Sequence, residues 1–109
     1  MKVRGWKVYM HRKAITCADG FTMSVQASEN HYCSPRLDVC VKYETVEVGY
    51  PSEKEDIFMP YAEEPEKPCE TVYAYVPVSQ VTLVIAKHGG IVEGETPPGV
   101  AYLVPNERR

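Results

Sequence analysis

Apolar and polar residues alternate most regularly between Phe21 and Ser28. A period of two is typical of a half-buried antiparallel strand, because successive side chains point to opposite faces of the sheet. The turn signal Ala18-Asp19-Gly20 stands directly before this segment. The pattern therefore predicts a strand whose buried face carries Phe21, Met23, Val25 and Ala27.

Four other segments have strand composition: Val3–Met10, Val39–Tyr50, Thr71–Val76 and Val100–Val104. In the second of them Val46, Val48 and Tyr50 alternate with polar residues or glycine, so we expect these three side chains to point inward. Pro51 has no amide hydrogen for a ladder bond and is expected to end that strand.

The run Val78 to His88 has features of both helix and strand. Its β-branched residues lower helix propensity. However, Val78, Val81 and Ile85 share one helical face, and Lys87-His88-Gly89-Gly90 is a strong helix stop. The pattern favours a helix, with His88 as a cap at its C-terminus, where the helix dipole stabilises an imidazolium.

These elements predict an α+β fold, with a small antiparallel sheet of four to five strands and one helix (about 78–88) packed on one face. A length of 109 residues and an apolar fraction of 44% fit a single domain over residues 1–109. Residues 105–109 are expected to be a frayed tail.

Residues 51–70, called the acidic segment below, contain four prolines and most of the acidic residues of the chain's central part. Ser52-Glu53-Lys54-Glu55 matches a capping box, which predicts a helical turn from Ser52 that Pro60 ends. We expect a loop with this one turn, pinned by Ile57, Phe58, Met59 and Tyr61. A loop of this length usually has a function.

Charge is distributed unevenly along the chain. Residues 44–70 contain nine acidic residues against Lys54 and Lys67, whereas residues 1–18 contain five basic residues and no acidic one. Such a distribution can produce a field of one sign over part of the surface. The alternative is a solvated loop whose charge the basic N-terminal strand balances.

Metal binding and nucleophilic catalysis have little support in the sequence. No two of the four cysteines have the two-residue spacing of structural zinc sites, and His31, Cys33 and Cys40 form the one cluster with a metal-like composition. Cys33 could meet a base, either His31 or His88, but no local motif marks a nucleophile. A half-buried free thiol is the simpler interpretation.

Acid–base chemistry and phosphate binding are disfavoured as well. A proline-rich exposed segment offers no pocket in which one of its carboxyl groups would be desolvated. Gly89-Gly90 follows a helix, whereas phosphate-binding loops precede one. We therefore expect a protein that is not an enzyme and that needs no cofactor.

The N-terminal region combines basic and aromatic residues, as nucleic-acid-binding surfaces do: Arg4, Trp6, Lys7, Tyr9, Arg12 and Lys13. With a pI near 5.6, the acidic segment would oppose the approach of phosphates, so direct nucleic-acid binding is not expected. No apolar run approaches the roughly 18 residues of a membrane span, and no apolar stretch follows the basic N-terminus as in a secretory signal. These features predict a cytoplasmic protein.

What remains is an acidic, tyrosine-rich surface for binding another molecule. The chain has eight tyrosines, and tyrosine supplies contact area at interfaces with few rotatable bonds. Tyr61, beside two glutamates, is the best candidate for an exposed contact, while Tyr50 is expected to pack in the sheet. The candidate partner-binding residues are Glu53, Glu55, Asp56, Tyr61, Glu63, Glu64 and Glu66.

Several blocks resemble one family: Val46-Glu47-Val48-Gly49-Tyr50-Pro51-Ser52-Glu53, Pro60-Tyr61-Ala62-Glu63, Thr71-Val72-Tyr73-Ala74-Tyr75-Val76-Pro77-Val78 and Lys87-His88-Gly89-Gly90, with Gly20-Phe21 to Gln26 and Cys33-Ser34-Pro35-Arg36. Together they cover about two-thirds of the chain and are similar to short uncharacterised accessory proteins of tailed bacteriophages and prophages. The resemblance implies an origin and transfers no catalytic residue.

Small acidic phage accessory proteins often occlude a host enzyme or defence complex. The resemblance therefore implies an anti-CRISPR-like inhibitor in the host bacterial cytoplasm, whose partner is a host protein or ribonucleoprotein with a basic surface. The alternatives are a phage structural or assembly protein, a small regulatory protein without inhibitory activity and, more remotely, a metal-binding nucleic-acid module that uses His31, Cys33 and Cys40. An exposed sheet edge would also permit a homodimer.

Overall fold

A computed structural model describes residues 11–106, so the predicted strand Val3–Met10 lies outside the described part of the chain, as do residues 107–109. The elements in chain order are β1 (Ile15–Cys17), β2 (Thr22–Gln26), β3 (Thr45–Gly49), a 3₁₀ helix (Asp56–Tyr61), β4 (Val72–Pro77), α1 (Val78–Lys87) and β5 (Ile91–Glu93).

The five strands form one sheet in the order β4-β3-β2-β1-β5, and every neighbouring pair is antiparallel. The helix α1 packs on this sheet through its apolar side chains. The predicted α+β fold, with an antiparallel sheet and one main helix, is confirmed.

The core lies between the alternating face of β2 and the apolar face of α1. Phe21, Met23, Val25 and Ala27 are all buried, as their alternation predicts. The side chains that α1 contributes are Val81, Val84 and Ile85. Each large apolar side chain buried in this way stabilises the fold by about 1.5–3 kcal/mol.

The predicted strand Val39–Tyr50 is shorter than expected, because within residues 11–106 its ladders with neighbouring strands are confined to Thr45–Gly49. The preceding residues form a loop in which Val39 and Val41 are exposed. The expectation that Tyr50 packs inward is wrong: its side chain is 60% exposed and its φ is +50°. The backbone turns at Tyr50, so the alternation of β3 does not extend to it.

The predicted strand Val100–Val104 forms no ladder with any described residue, and a strand at Ile91–Glu93 lies beside β1 instead. Gly89 and Gly90 both have positive φ, so they reverse the chain directly after α1 and bring Ile91 into the sheet. The C-terminal segment contacts the outer edge of β5, where the Ile91 amide donates to the Leu103 carbonyl at 2.7 Å.

The helical turn of the acidic segment begins at Asp56, not at Ser52. Ser52 pairs with Thr22 instead, donating its amide to the Thr22 carbonyl at 2.9 Å and accepting the Thr22 amide at Oγ. Pro60, expected to end the turn, lies inside the 3₁₀ helix. In the predicted tail 105–109, the backbone of Pro105 lies close to Gly90.

Candidate functional site

Glu55 organises the acidic segment from a buried position. It is 1% exposed and stands immediately before the 3₁₀ helix. Its Oε2 accepts the amide of Ile57 at 3.2 Å, and its carbonyl accepts the amide of Phe58 at 3.0 Å. Capping satisfies amides at the start of a helix that would otherwise have no partner. Phe58, fully buried, then fixes the turn to the core.

The imidazole of His88, at the C-terminal end of α1, lies between two carboxylates. Its Nε2 is 2.8 Å from Oε1 of Glu55, and its Nδ1 is 2.6 Å from Oδ2 of Asp19 in the β1–β2 turn. The ring of Phe21 stacks on the imidazole, with centroids 4.0 Å apart and planes 12° apart. The predicted position of His88 as the helix cap is confirmed, and its side chain has a further set of partners.

Lys87 completes this group of charges, because its Nζ lies 2.9 Å from Oε2 of Glu55. We call Asp19, Glu55, Lys87 and His88 the Glu55 clamp. It joins the acidic segment, the end of α1 and the β1–β2 turn. When His88 is protonated, two carboxylates face two cations, which balances the charge that Glu55 carries into the interior.

The pKa values of these groups follow from their contacts. Burial raises the pKa of Glu55, but its bonds to His88 and Lys87 outweigh burial and hold the pKa below its ordinary value. Burial lowers the pKa of His88, and the bonds to Glu55 and Asp19 outweigh that effect and raise the pKa. The Phe21 amide and then His88 lower the pKa of Asp19. All three shifts favour the charged forms.

The clamp corrects the expectation that no carboxyl group of the acidic segment is desolvated, since Glu55 is buried. Both ring nitrogens of His88 face carboxylates, so neither is open to a substrate in this arrangement. The contact between Glu55 and His88 spans 33 positions and has no local motif. The sequence signals nearest to it are the capping-box pattern around Glu55 and the helix stop at His88.

The far end of the acidic segment is fixed to the edge of β4. Ala62 forms a bridge with Tyr73, and the amides of Glu63 and Glu64 donate to the Val72 carbonyl and to Oγ1 of Thr71, both at 3.0 Å. The hydroxyl of the buried Tyr73 donates to the Pro68 carbonyl at 2.6 Å. Both ends of the segment are therefore attached to regular structure. The segment also shortens the exposed edge on which a homodimer would depend.

The predicted partner-binding residues divide into two groups. Glu55 belongs to the buried clamp and is withdrawn from the surface, which corrects its place in the predicted set. The exposed acidic residues of the segment are Glu53, Asp56, Glu63, Glu64, Glu66 and Glu70. Within residues 11–106, no ion pair joins Glu63, Glu64 or Glu66 to a cation, whereas Asp56 has Lys54 at 3.9 Å.

The tyrosines differ from the expected pattern. Tyr61 is half-buried and packs against the core, so it contributes an edge to the surface and not a free ring. Tyr50, Tyr102, Tyr75 and Tyr32 are all exposed, and the rings of Tyr32 and Tyr75 lie beside each other with centroids 6.0 Å apart. Tyr75 lies at a bulge in β4 with φ +54°, which no sequence signal indicated.

Two side chains of the cluster considered for a metal site or a nucleophile, His31 and Cys33, make hydrogen bonds within the protein. Nδ1 of His31 lies 2.6 Å from Oγ of Ser28, and the thiol of Cys33 donates to the Ser28 carbonyl at 3.2 Å. Burial raises the pKa of Cys33, which keeps the thiol protonated. In the part of the chain that the structure describes, no three His, Cys, Asp or Glu side chains are arranged to hold a metal ion.

Of the basic N-terminal stretch, the structure describes Arg12 and Lys13. Arg12 donates to the Ala27 carbonyl at 2.9 Å, and Lys13 pairs with Glu93. Both cations therefore have partners within the fold. Between residues 11 and 106, no helix has the length and apolar character that a membrane span requires.

Comparison of the chain with models of protein families, with curated proteins and with solved structures gave no match.

Proposed function

We propose that this protein is a phage-encoded binding protein that acts in the bacterial cytoplasm. Its acidic segment would occupy the basic, nucleic-acid-binding surface of a host defence complex, as an anti-CRISPR-like inhibitor does. The proposal needs no catalytic step, cofactor or bound nucleic acid. The contact residues are Glu53, Asp56, Glu63, Glu64 and Glu66, with the half-buried Tyr61 at the edge of the contact.

The observation that carries this proposal is that Glu63, Glu64 and Glu66 are exposed and have no cation within the described residues, on a segment attached at both ends. Unpaired carboxylates produce a field that attracts a basic surface and accelerates association. Because the segment is already ordered, less conformational entropy is lost on binding than with a free loop.

The second candidate, a phage structural or assembly protein or a regulator without inhibitory activity, is favoured by a different surface. Tyr32 and Tyr75 are exposed beside each other, and the guanidinium of Arg36 lies 5.8 Å from the Tyr32 ring centroid. Aromatic and arginine side chains dominate the energetic centres of many protein interfaces. Binding through this surface would depend little on salt.

A nucleic-acid competition experiment tests the proposal. Purified RNA-guided and restriction-type defence complexes are incubated with the protein, and binding of labelled target DNA is measured at low and high salt. Complexes retained from bacterial lysate on the immobilised protein extend the panel. We expect inhibition by the wild-type chain and weaker inhibition at high salt, because screening weakens attraction between exposed charges.

Charge-reversal variants identify the surface responsible. Glu64→Lys should reduce inhibition, and the triple variant Glu63→Lys, Glu64→Lys, Glu66→Lys should abolish it. Glu44→Lys is the matched control, because Glu44 is exposed and lies far from the acidic segment's attachment at Val72. It precedes Thr45, which pairs with Pro77 at one end of the β3–β4 ladder, whereas Val72 pairs at the other end. Undiminished activity of the triple variant, or an equal loss with Glu44→Lys, would remove the acidic segment as the contact.

A further inference from the structure

The Glu55 clamp holds the acidic segment through His88, and histidine is the side chain whose charge changes nearest to neutral pH. Asp19 from the β1–β2 turn and Glu55 from the acidic segment face its two ring nitrogens. Lys87, its neighbour in α1, lies on the other carboxylate oxygen of Glu55. Phe21, immediately before β2, contributes an uncharged ring.

The hydrogen-bond chemistry of this group requires an imidazolium. Ionised carboxylates only accept hydrogen bonds, and a neutral imidazole carries a single N–H. With His88 neutral, either Asp19 at 2.6 Å or Glu55 at 2.8 Å would face a nitrogen lone pair. The positive charge next to buried Glu55 would be lost at the same time, leaving the partly exposed Lys87 as its counter-ion.

We propose that protonation of His88 controls how firmly the acidic segment is held, so that the segment is fixed when His88 is an imidazolium and loosens when His88 becomes neutral. This contact is a pH-sensitive switch that would regulate the proposed function. Only the effect of the switch on partner binding rests on that proposed function. A looser segment would lose the order that favours binding, so affinity for a basic partner would fall with rising pH.

The direction of the switch follows from the contacts of His88. Its bonds to Glu55 and Asp19 raise its pKa above the ordinary value of 6.5, after the opposing effect of burial. The fixed state therefore persists through pH 6.5, and loosening occurs on the alkaline side as the pH passes the pKa of the folded protein. The amide of Ile57 reports on this change directly, because it donates to Oε2 of Glu55.

Asp19→Asn separates the switch from simple destabilisation. Oδ1 of Asp19 accepts the Phe21 amide, which an asparagine oxygen can also do. The asparagine amide would then stand in place of Oδ2 and donate to Nδ1 of a neutral His88, whose Nε2–H donates to Glu55. All the hydrogen bonds of the clamp would be satisfied without a charge on the ring, and the side chain at position 19 is partly exposed.

The test uses the full chain without a partner, so its outcome is independent of the proposed function. The charge of His88 is followed by ¹⁵N NMR of the ring, and amide exchange of Ile57 is followed between about pH 6 and 9.5, corrected for intrinsic base catalysis. In the wild type, protection of Ile57 should fall at least roughly tenfold as His88 titrates, the scale of one charge-assisted hydrogen bond. The control amide of Tyr43, bonded to the Pro98 carbonyl, should lose less protection than Ile57, and no more than the accompanying fall in global stability.

In Asp19→Asn, protection of Ile57 should stay nearly constant above pH 7. Three results would overturn the proposal: a neutral His88 in the wild type at pH 6, constant Ile57 protection through the titration of His88, or an equal fall in Asp19→Asn. If the switch operates but no basic partner is bound, the proposed function fails alone. If a partner is bound with no dependence on His88, the switch fails alone.

Discussion

Oε1 of Glu55 lies 2.8 Å from Nε2 of His88, although 33 positions separate the two residues in the chain. This contact joins the start of the 3₁₀ helix to the end of α1 and lies under the ring of Phe21. It explains how a proline-rich acidic segment is held to the domain.

The pH dependence of stability should have two limbs. Asp19 and Glu55 have lowered pKa values, because of the Phe21 amide for Asp19 and because bonds to His88 and Lys87 outweigh burial for Glu55. Their contribution to stability is therefore present above their unfolded values, 3.8 and 4.5, and is lost as the pH falls through the folded values. Burial lowers the pKa of His31, which adds a loss of stability below pH 6.5.

The alkaline limb belongs to His88, whose pKa is raised because its bonds to the two carboxylates outweigh burial. Its contribution is complete below pH 6.5 and is lost as the pH rises through the folded value. Urea denaturation from pH 3 to about 8.5 measures both limbs, below the range in which the thiol of Cys17, whose pKa burial raises from 9.0 to about 11, adds an alkaline loss of its own. His88→Gln should remove the alkaline limb and keep the acid one. An alkaline limb of unchanged size in His88→Gln would assign it to another group.

Tyr73→Phe should loosen the far end of the acidic segment. The substitution removes the bond from the hydroxyl to the Pro68 carbonyl and leaves the ring in the core. We expect a loss of about 1 kcal/mol in the free energy of unfolding, the usual net value of a neutral hydrogen bond. Tyr50→Phe is the matched control, since Tyr50 is exposed, and should change stability by less than about 0.5 kcal/mol. Equal effects of the two substitutions would argue against this attachment.

Gly90→Ala should be more destabilising than Gly20→Ala, although both glycines have φ near +95°. A Cβ at Gly90 would lie 2.7 Å from backbone atoms of Val104 and Pro105, whereas a Cβ at Gly20 would have no heavy atom within 4 Å. The backbone strain alone costs about 1–2 kcal/mol, and the clash adds at least about 1 kcal/mol at Gly90. Chemical denaturation of both variants gives the comparison. Equal losses would show that the C-terminal segment moves away from a Cβ at Gly90 without a further loss of stability.

Elements with a local periodic signal could be predicted from the sequence. The strict alternation of Phe21 to Ala27 gave the buried face of β2, and the stop at Lys87-His88-Gly89-Gly90 gave the end of α1 within one residue. Strand limits that depend on pairing were less predictable. Val39 and Val41 have strand propensity, yet no strand in the described part of the chain pairs with them.

The candidate site could be predicted only in part, because some of its features follow from local composition and others from contacts made through the fold. The exposed carboxylates of Glu63, Glu64 and Glu66 follow from composition, because a proline-rich run of acids stays in water. The burial of Glu55 depends on Lys87 and His88, which reach it through the fold. Local sequence does not encode a contact of that separation.

Glu55→Gln, compared with the exposed control Glu53→Gln, tests the central claim, that buried Glu55 fixes the acidic segment to the end of α1. Amide exchange of Ile57, Phe58 and Glu63 is measured at neutral pH, together with the free energy of unfolding. We expect Glu55→Gln to lose about 2–4 kcal/mol in the free energy of unfolding, because Lys87 loses its carboxylate partner and the buried charge of His88 keeps Asp19 alone. Ile57 and Phe58 should lose more protection than amides of β3, while Glu53→Gln should match the wild type. Wild-type protection of Ile57 and Phe58 in Glu55→Gln would contradict the account.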